Sequence, residues 1–157
     1  MKNSIVKSGS VSGTMFKTLV VLTLVFSFSL VARSGVGNGD SLQGSWLPTT
    51  AELGGRKFPD EVRKSIRLEI NDDKYRVTLA GEADLGIIKL NPLATPKEMD
   101  VTGTDGANKG KTFLAIYERS GDTLRICYDL TGKGRPTEFA TKEGTQLFLV
   151  TYKLEKH

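Results

Sequence analysis

The side chains that most often carry enzyme catalysis are scarce in this chain of 157 residues. Its single histidine, His157, is the last residue, and chain ends are seldom held in a fixed position. Because Ser-His-Asp and Cys-His mechanisms need a positioned imidazole, the sequence argues against both. One cysteine, Cys127, and one histidine also exclude zinc sites that need two or more of either residue. We therefore expect neither enzymatic activity nor a metal or other cofactor.

Carboxylates are the remaining candidates for acid–base or metal chemistry. Asp122 and Asp129 flank one predicted strand, and Glu118 lies on the strand before it. Two carboxylates can act as acid and base in a cleft, but acidic residues at hairpin positions usually face water. The polar residues of Asp100–Gly110 lack the alternate spacing with which a loop binds calcium. We expect these side chains to be solvated.

Alternating apolar and polar residues indicate that most of the chain after residue 41 forms β-strands. Ser65–Ile70 and Lys74–Ala80 both alternate, and the turn residues Asn71–Asp73 between them predict a hairpin. Phe58–Arg63 has the proline and acidic residues typical of one helical turn. About eight strands are predicted: Leu42–Leu53, Ser65–Ile70, Lys74–Ala80, Leu85–Leu90, Glu98–Thr102, Thr112–Arg119, Thr123–Leu130 and Gln146–Leu154. Sequential hairpins favour an all-β fold, a small up-and-down antiparallel barrel whose closure removes exposed edges.

Several short motifs resemble those of lipocalin-like proteins. Gly44-Ser45-Trp46 is similar to the G-x-W of lipocalins, in which the tryptophan closes the barrel floor beside a basic residue of the last strand. The resemblance implies structural roles for Gly44 and Trp46, with Lys153 as the basic partner. A wider set of motifs resembles the lipocalin-like domain family abundant in planctomycete bacteria: Leu42–Trp46, Gly110–Thr112, Ile116–Glu118, Gly121–Cys127 and Arg135–Phe139. This resemblance implies an exported lipocalin-like fold and brings no catalytic residues.

The segment Arg135–Phe139 has two interpretations. In the functional one, Arg135 and Glu138 line the barrel mouth and hold a polar group of a ligand. In the structural one, which we favour, Pro136 fixes a turn, Phe139 fills the core and the charged side chains pair on the surface.

For Cys127, the alternating pattern predicts an outward direction, whereas the residue type predicts burial. The more apolar set of its strand, Leu124, Ile126 and Tyr128, is predicted to point inward, which places Cys127 on the outer face. A lone cysteine is usually buried. We therefore expect either Phe58–Ser65 or Arg135–Phe139 to cover it.

The N-terminal 34 residues have the pattern of a signal peptide. Four of the 22 basic residues precede Gly35 without any acid, and the apolar stretch Thr18–Ala32 is followed by a small-residue cleavage site. The other 18 basic residues balance the 18 acidic ones, and their lack of clustering predicts no nucleic-acid binding. Residues 35–41 are predicted to be a flexible lead-in and residues 42–157 the barrel domain, in the periplasm or secreted. Membrane attachment is expected only if the leader stays uncleaved as an anchor.

The sequence leaves two functions open. In the first, the domain is non-enzymatic and binds a small apolar or amphipathic ligand, with Tyr75, Tyr128, Arg135 and Glu138 as candidate ligand-binding residues. In the second, inward side chains fill the barrel, and its surface binds another protein of the cell envelope. The inward candidates are Tyr75, Leu124, Ile126, Tyr128 and Leu149. A cavity above roughly 300 Å³ would separate the two functions.

Overall fold

The computed structural model describes residues 41–156, so the predicted signal peptide and nearly all of the lead-in lie outside the described residues. The described part contains one five-residue helix, α1, at Asp60–Lys64. No helix of this part is long and apolar enough to cross a membrane. The strands are β1 Gly44–Leu53, β2 Arg56–Lys57, β3 Ile66–Asn71, β4 Lys74–Leu79, β5 Glu82–Asn91, β6 Lys97–Asp105, β7 Thr112–Ser120, β8 Thr123–Asp129 and β9 Leu147–Leu154.

Eight of these strands close into an antiparallel barrel. From β3 to β9, each strand pairs with its neighbour in sequence, and β1 pairs with both β3 and β9. The start of β1, Gly44–Trp46, lies against β3, and Trp46–Leu53 lies against β9. The short β2 pairs only with the end of β1. The predicted all-β, up-and-down antiparallel barrel of about eight strands is confirmed.

The predicted hairpin of β3 and β4 is present, and its register is uninterrupted from the Ile66–Leu79 pair to the Asn71–Lys74 pair. Ile70 pairs with Tyr75, and Asp72 adopts a left-handed conformation in the turn. The predicted helical turn is also present, although it begins at Asp60 instead of Phe58. Strand β5 begins three residues earlier than predicted, because residues 82–84 continue the pairing with β4. Strand β6 ends three residues later than predicted, at Asp105, which pairs with Leu85.

One end of the barrel is closed by Trp46. Its side chain is completely buried, and its indole N–H donates to the carbonyl oxygen of Leu42 at 2.9 Å. The backbone of Gly44 has a φ of +124°, and a Cβ there would lie 2.8 Å from a methyl group of Leu154. Glycine is therefore required where β1 begins. This end also carries the β3–β4 and β7–β8 turns.

The basic partner of Trp46 differs from the one that the resemblance implied. The guanidinium carbon of Arg119, on β7, lies 5.3 Å from the centre of the Trp46 ring. Lys153 instead donates from Nζ to Asp122 Oδ1 at 2.6 Å, on the exposed outer side of the closed end. The assignment of Lys153 to the barrel floor is wrong, because Lys153 pairs with Leu47 and shares its outward direction.

The loop between β8 and β9, residues 130–146, crosses the outside of the barrel. The carbonyl oxygen of Ala140 lies 3.7 Å from the Sγ of Cys127, and the ring of Phe139 lies 4.8 Å from the Arg125 guanidinium carbon. Cys127 is completely buried, and burial raises the pKa of its thiol to about 11. The expected burial is confirmed, and the cover comes from the loop at Ala140, one residue beyond the predicted segment Arg135–Phe139. Leu149 pairs with Cys127 and faces the same outer side, so its inward assignment is wrong.

Candidate functional site

The barrel encloses a cavity of about 790 Å³. Its volume falls within the range of 300–1,000 Å³ that is typical of ligand pockets. Every second residue of a strand points inward. In β3, β4, β5, β6 and β9 most of these inward residues are apolar, and they make up most of the cavity wall. Representative lining residues are Leu68, Val77, Ile88, Met99, Val101 and Phe148. The interior is therefore not filled by the inward side chains.

The mouth of the cavity lies at the end of the barrel opposite Trp46. It is formed by the end of β1 with Phe58, by the β4–β5 turn at Ala80–Ala83, and by the β6–β7 loop at Gly106–Asn108. Leu79 also lines this opening, and 44% of its surface is exposed. An apolar residue at the rim extends the apolar wall to the solvent.

One wall of the cavity is a row of aromatic rings. The ring of Phe148 stacks on Phe58 with centroids 5.4 Å apart, and on Tyr128 with centroids 5.9 Å apart. Offset stacking at these distances is favourable and holds the rings in place. Tyr128 and Phe148 remain only partly buried although they point inward, because their surfaces face the cavity.

Three tyrosine hydroxyl groups enter the cavity wall. Tyr128 and Tyr152 interact with each other in the wall, and burial raises the pKa of both phenols. Burial and the neighbouring Asp84 carboxylate also raise the pKa of Tyr75. All three groups therefore stay neutral at physiological pH and can donate or accept hydrogen bonds. Two of the predicted ligand-binding residues, Tyr75 and Tyr128, thus line the cavity.

Asp84 is one of two carboxylates that line the cavity, together with Glu82. Its Oδ2 accepts from the Tyr75 hydroxyl at 3.1 Å and from the Asn108 side-chain amide at 3.1 Å, and its Oδ1 accepts from the Asn108 backbone N–H at 2.9 Å. Gly86 makes this arrangement possible, because a Cβ there would lie 2.5 Å from the Tyr75 ring and 2.0 Å from the carbonyl oxygen of Thr102. Asp84 thereby ties the β6–β7 loop to the cavity.

Arg135 and Glu138 do not line the cavity. Arg135 lies on the outer face of β6, where its guanidinium donates to the carbonyl oxygens of Met99 and Ala115 and to Asp100 Oδ1 at 2.5 Å. Glu138 forms an exposed ion pair with Lys142 at 3.0 Å. Both residues belong to the loop that covers the outside of the barrel, so they cannot hold a ligand at its mouth.

The neighbours of Arg135 in the motif are also placed outside the core. Pro136 is buried, whereas Phe139 stacks under Arg125 on the outer surface instead of filling the core. Arg135 also approaches Glu98, with 3.5 Å between Nε and Oε1, beside a polar groove of about 330 Å³. The structural interpretation of this segment therefore holds for its charges and not for Phe139.

The acidic residues considered as a catalytic pair have other partners. Glu118 pairs with Arg125 at 2.6 Å, and Asp122 pairs with Lys153, whose hydrogen bond lowers the Asp122 pKa. Burial alone would raise the pKa of Asp129, but hydrogen bonds from the Thr131 hydroxyl and from the backbone N–H groups of Thr131 and Gly134 lower it. Among residues 41–156, no group of three or more His, Cys, Asp or Glu side chains is placed to hold a metal ion.

Comparison of the chain with protein-family models, with curated proteins and with solved structures finds no match.

Proposed function

We propose that this protein is a non-enzymatic binding domain that holds a small apolar or amphipathic ligand inside the barrel. The cavity of about 790 Å³ is the observation that supports this proposal. Its wall is mostly apolar, and a few polar groups at defined positions, such as Tyr75, Tyr128 and Asp84, can orient a guest. Burial of an apolar chain against this wall supplies affinity without any covalent chemistry.

We also propose that the protein is exported to the periplasm or secreted, and that it belongs with the lipocalin-like proteins that its motifs resemble. The basic and apolar leader pattern of residues 1–34 supports export. The position of Trp46 at the closed end of the barrel supports the lipocalin-like assignment. The alternative, a solid barrel that acts as an interaction module in the cell envelope, has less support because the interior is open.

Filling the cavity tests the proposal. Val77 points into the cavity, whereas Thr78 follows it on the same strand and points outward. We expect the Val77→Trp variant to lose most of its binding of the neutral dye N-phenyl-1-naphthylamine, measured by the rise in dye fluorescence. The matched Thr78→Trp variant should bind the dye like the unsubstituted protein. Equal binding by both variants, or no binding by the unsubstituted protein, would contradict the proposal.

A further inference from the structure

The charged residues that line the cavity are all acidic. Glu82 and Asp84 lie on β5 at the mouth, and no lysine, arginine or histidine lines the cavity among residues 41–156. A pocket that receives a carboxylate head group needs a cation or a set of strong donors to offset the charge. This pocket instead presents a carboxylate of its own, which would repel such a head group.

Asp84 has no cationic hydrogen-bond donor among the described residues. Its three donors, the Tyr75 hydroxyl and the two N–H groups of Asn108, are all neutral. A carboxylate has about four acceptor positions, so these three donors leave acceptor capacity on Oδ1. Asp84 is half-buried, and in such surroundings a charge interacts more strongly than it does in water.

The wall opposite Asp84, on the β9 side of the cavity, also favours a positively charged ligand. Strand β9 lies four strands from β5 in either direction around the closed barrel, so Phe148 faces the Asp84 side across the mouth. The stacked rings of Phe58, Phe148 and Tyr128 form an aromatic wall there, and aromatic side chains tolerate or attract a nearby cation. A cationic group at the mouth would thus meet a carboxylate on the β5 side and no opposing cation among the described residues on the β9 side.

We infer that the cavity takes a cationic amphiphile, a long-chain primary amine in its protonated form, with the ammonium group at Asp84 and the alkyl chain inside the barrel. The inference rests on the proposed function and specifies its ligand class. The ammonium donates to Asp84 Oδ1, and the chain contacts apolar side chains such as Ile88 and Val101. The hydroxyl groups of Tyr128 and Tyr152 add polarity without charge.

Competition between ligands of equal chain length tests the inference. Decylamine, decan-1-ol and decanoate, each below its micellar concentration at pH 7, compete against N-phenyl-1-naphthylamine bound to the purified protein. We expect decylamine to bind at least about tenfold more tightly than decanoate, the lower end of what a hydrogen bond to a charged group contributes. In Asp84→Asn this preference should fall well below the value of about tenfold expected of the unsubstituted protein, with Glu82 as the carboxylate left in the lining. Asp122→Asn, at the closed end, is the matched control and should keep the full preference.

The outcomes separate the two proposals. If the dye and decan-1-ol fail to bind, the proposed function is wrong. If they bind but decanoate matches or exceeds decylamine, the ligand class is wrong and the binding function stands. If decylamine is preferred equally by Asp84→Asn, the role assigned to Asp84 is wrong. The ranking with the unsubstituted protein is decisive even if the variant fails to fold.

Discussion

Replacement of Trp46 by alanine tests how the closed end of the barrel is held. The indole is completely buried. Its N–H donates to the Leu42 carbonyl oxygen, and the Arg119 guanidinium lies over its ring. Removing a buried aromatic side chain costs about 3–5 kcal/mol of unfolding free energy through lost burial and the cavity left behind. The variant also leaves the Leu42 carbonyl oxygen without its indole donor, and the cost of this lost hydrogen bond is included in that range. The total free energy of unfolding of a domain is about 5–15 kcal/mol, so this loss would be a large share of it.

Urea denaturation followed by far-ultraviolet circular dichroism measures this loss, since Trp46 is the only tryptophan and its fluorescence disappears in the variant. Two further substitutions identify the basic partner. Arg119→Met removes a cation from the indole face and should cost about 0.5–1 kcal/mol. Lys153→Met removes only a surface ion pair and should leave the urea midpoint unchanged. A change below about 1 kcal/mol for Trp46→Ala, or a larger effect of Lys153→Met than of Arg119→Met, would refute this account of the floor.

Three further predictions concern the outside of the barrel and the leader. The Cys127 thiol, with a pKa of about 11 and covered by the loop of residues 130–146, should react with a thiol reagent at pH 8 far more slowly than in urea; equal rates would show that nothing covers it. Arg135→Met should release that loop and speed Cys127 labelling at least about tenfold without loss of dye binding, because Arg135 fastens the loop to β6 and β7; unchanged labelling would contradict this role. Mass spectrometry of the protein from the cell envelope should find an N-terminus near Gly35, and a full-length chain retained in the membrane would indicate an anchor instead.

The barrel was predictable where one face of a strand is apolar and the other polar. The β3–β4 hairpin follows directly from this alternation, with Ile70 opposite Tyr75. Alternation gave the wrong direction for Leu149, because the run Leu147–Val150 is apolar on both faces. The outer face there is covered by the loop of residues 130–146, and a covered strand shows no polar side.

Only those residues of the candidate site that lie in clearly alternating strands were predictable from the sequence. Tyr75 and Tyr128 lie in alternating strands and were placed correctly on the inner wall. Asp84 follows Gly81 in a stretch of small and acidic residues, so it has the pattern of a turn, although the strand continues through it. Arg135 belongs to a long loop, and no periodicity indicates on which side of a barrel such a loop lies. Its contacts with β6 depend on residues 35 positions away.

A ligand bound as proposed lies inside the barrel, with its alkyl chain against the cavity wall. Intermolecular nuclear Overhauser effects between bound decan-1-ol and the protein methyl groups measure this position. Ile88 and Ile87 are a matched pair on β5, since Ile88 lines the cavity and Ile87 is 45% exposed on the outer face. We predict contacts from the alkyl chain to Ile88 and Val101 and none to Ile87. Contacts to Ile87 without any to Ile88 and Val101 would place the ligand outside the barrel and contradict the central claim.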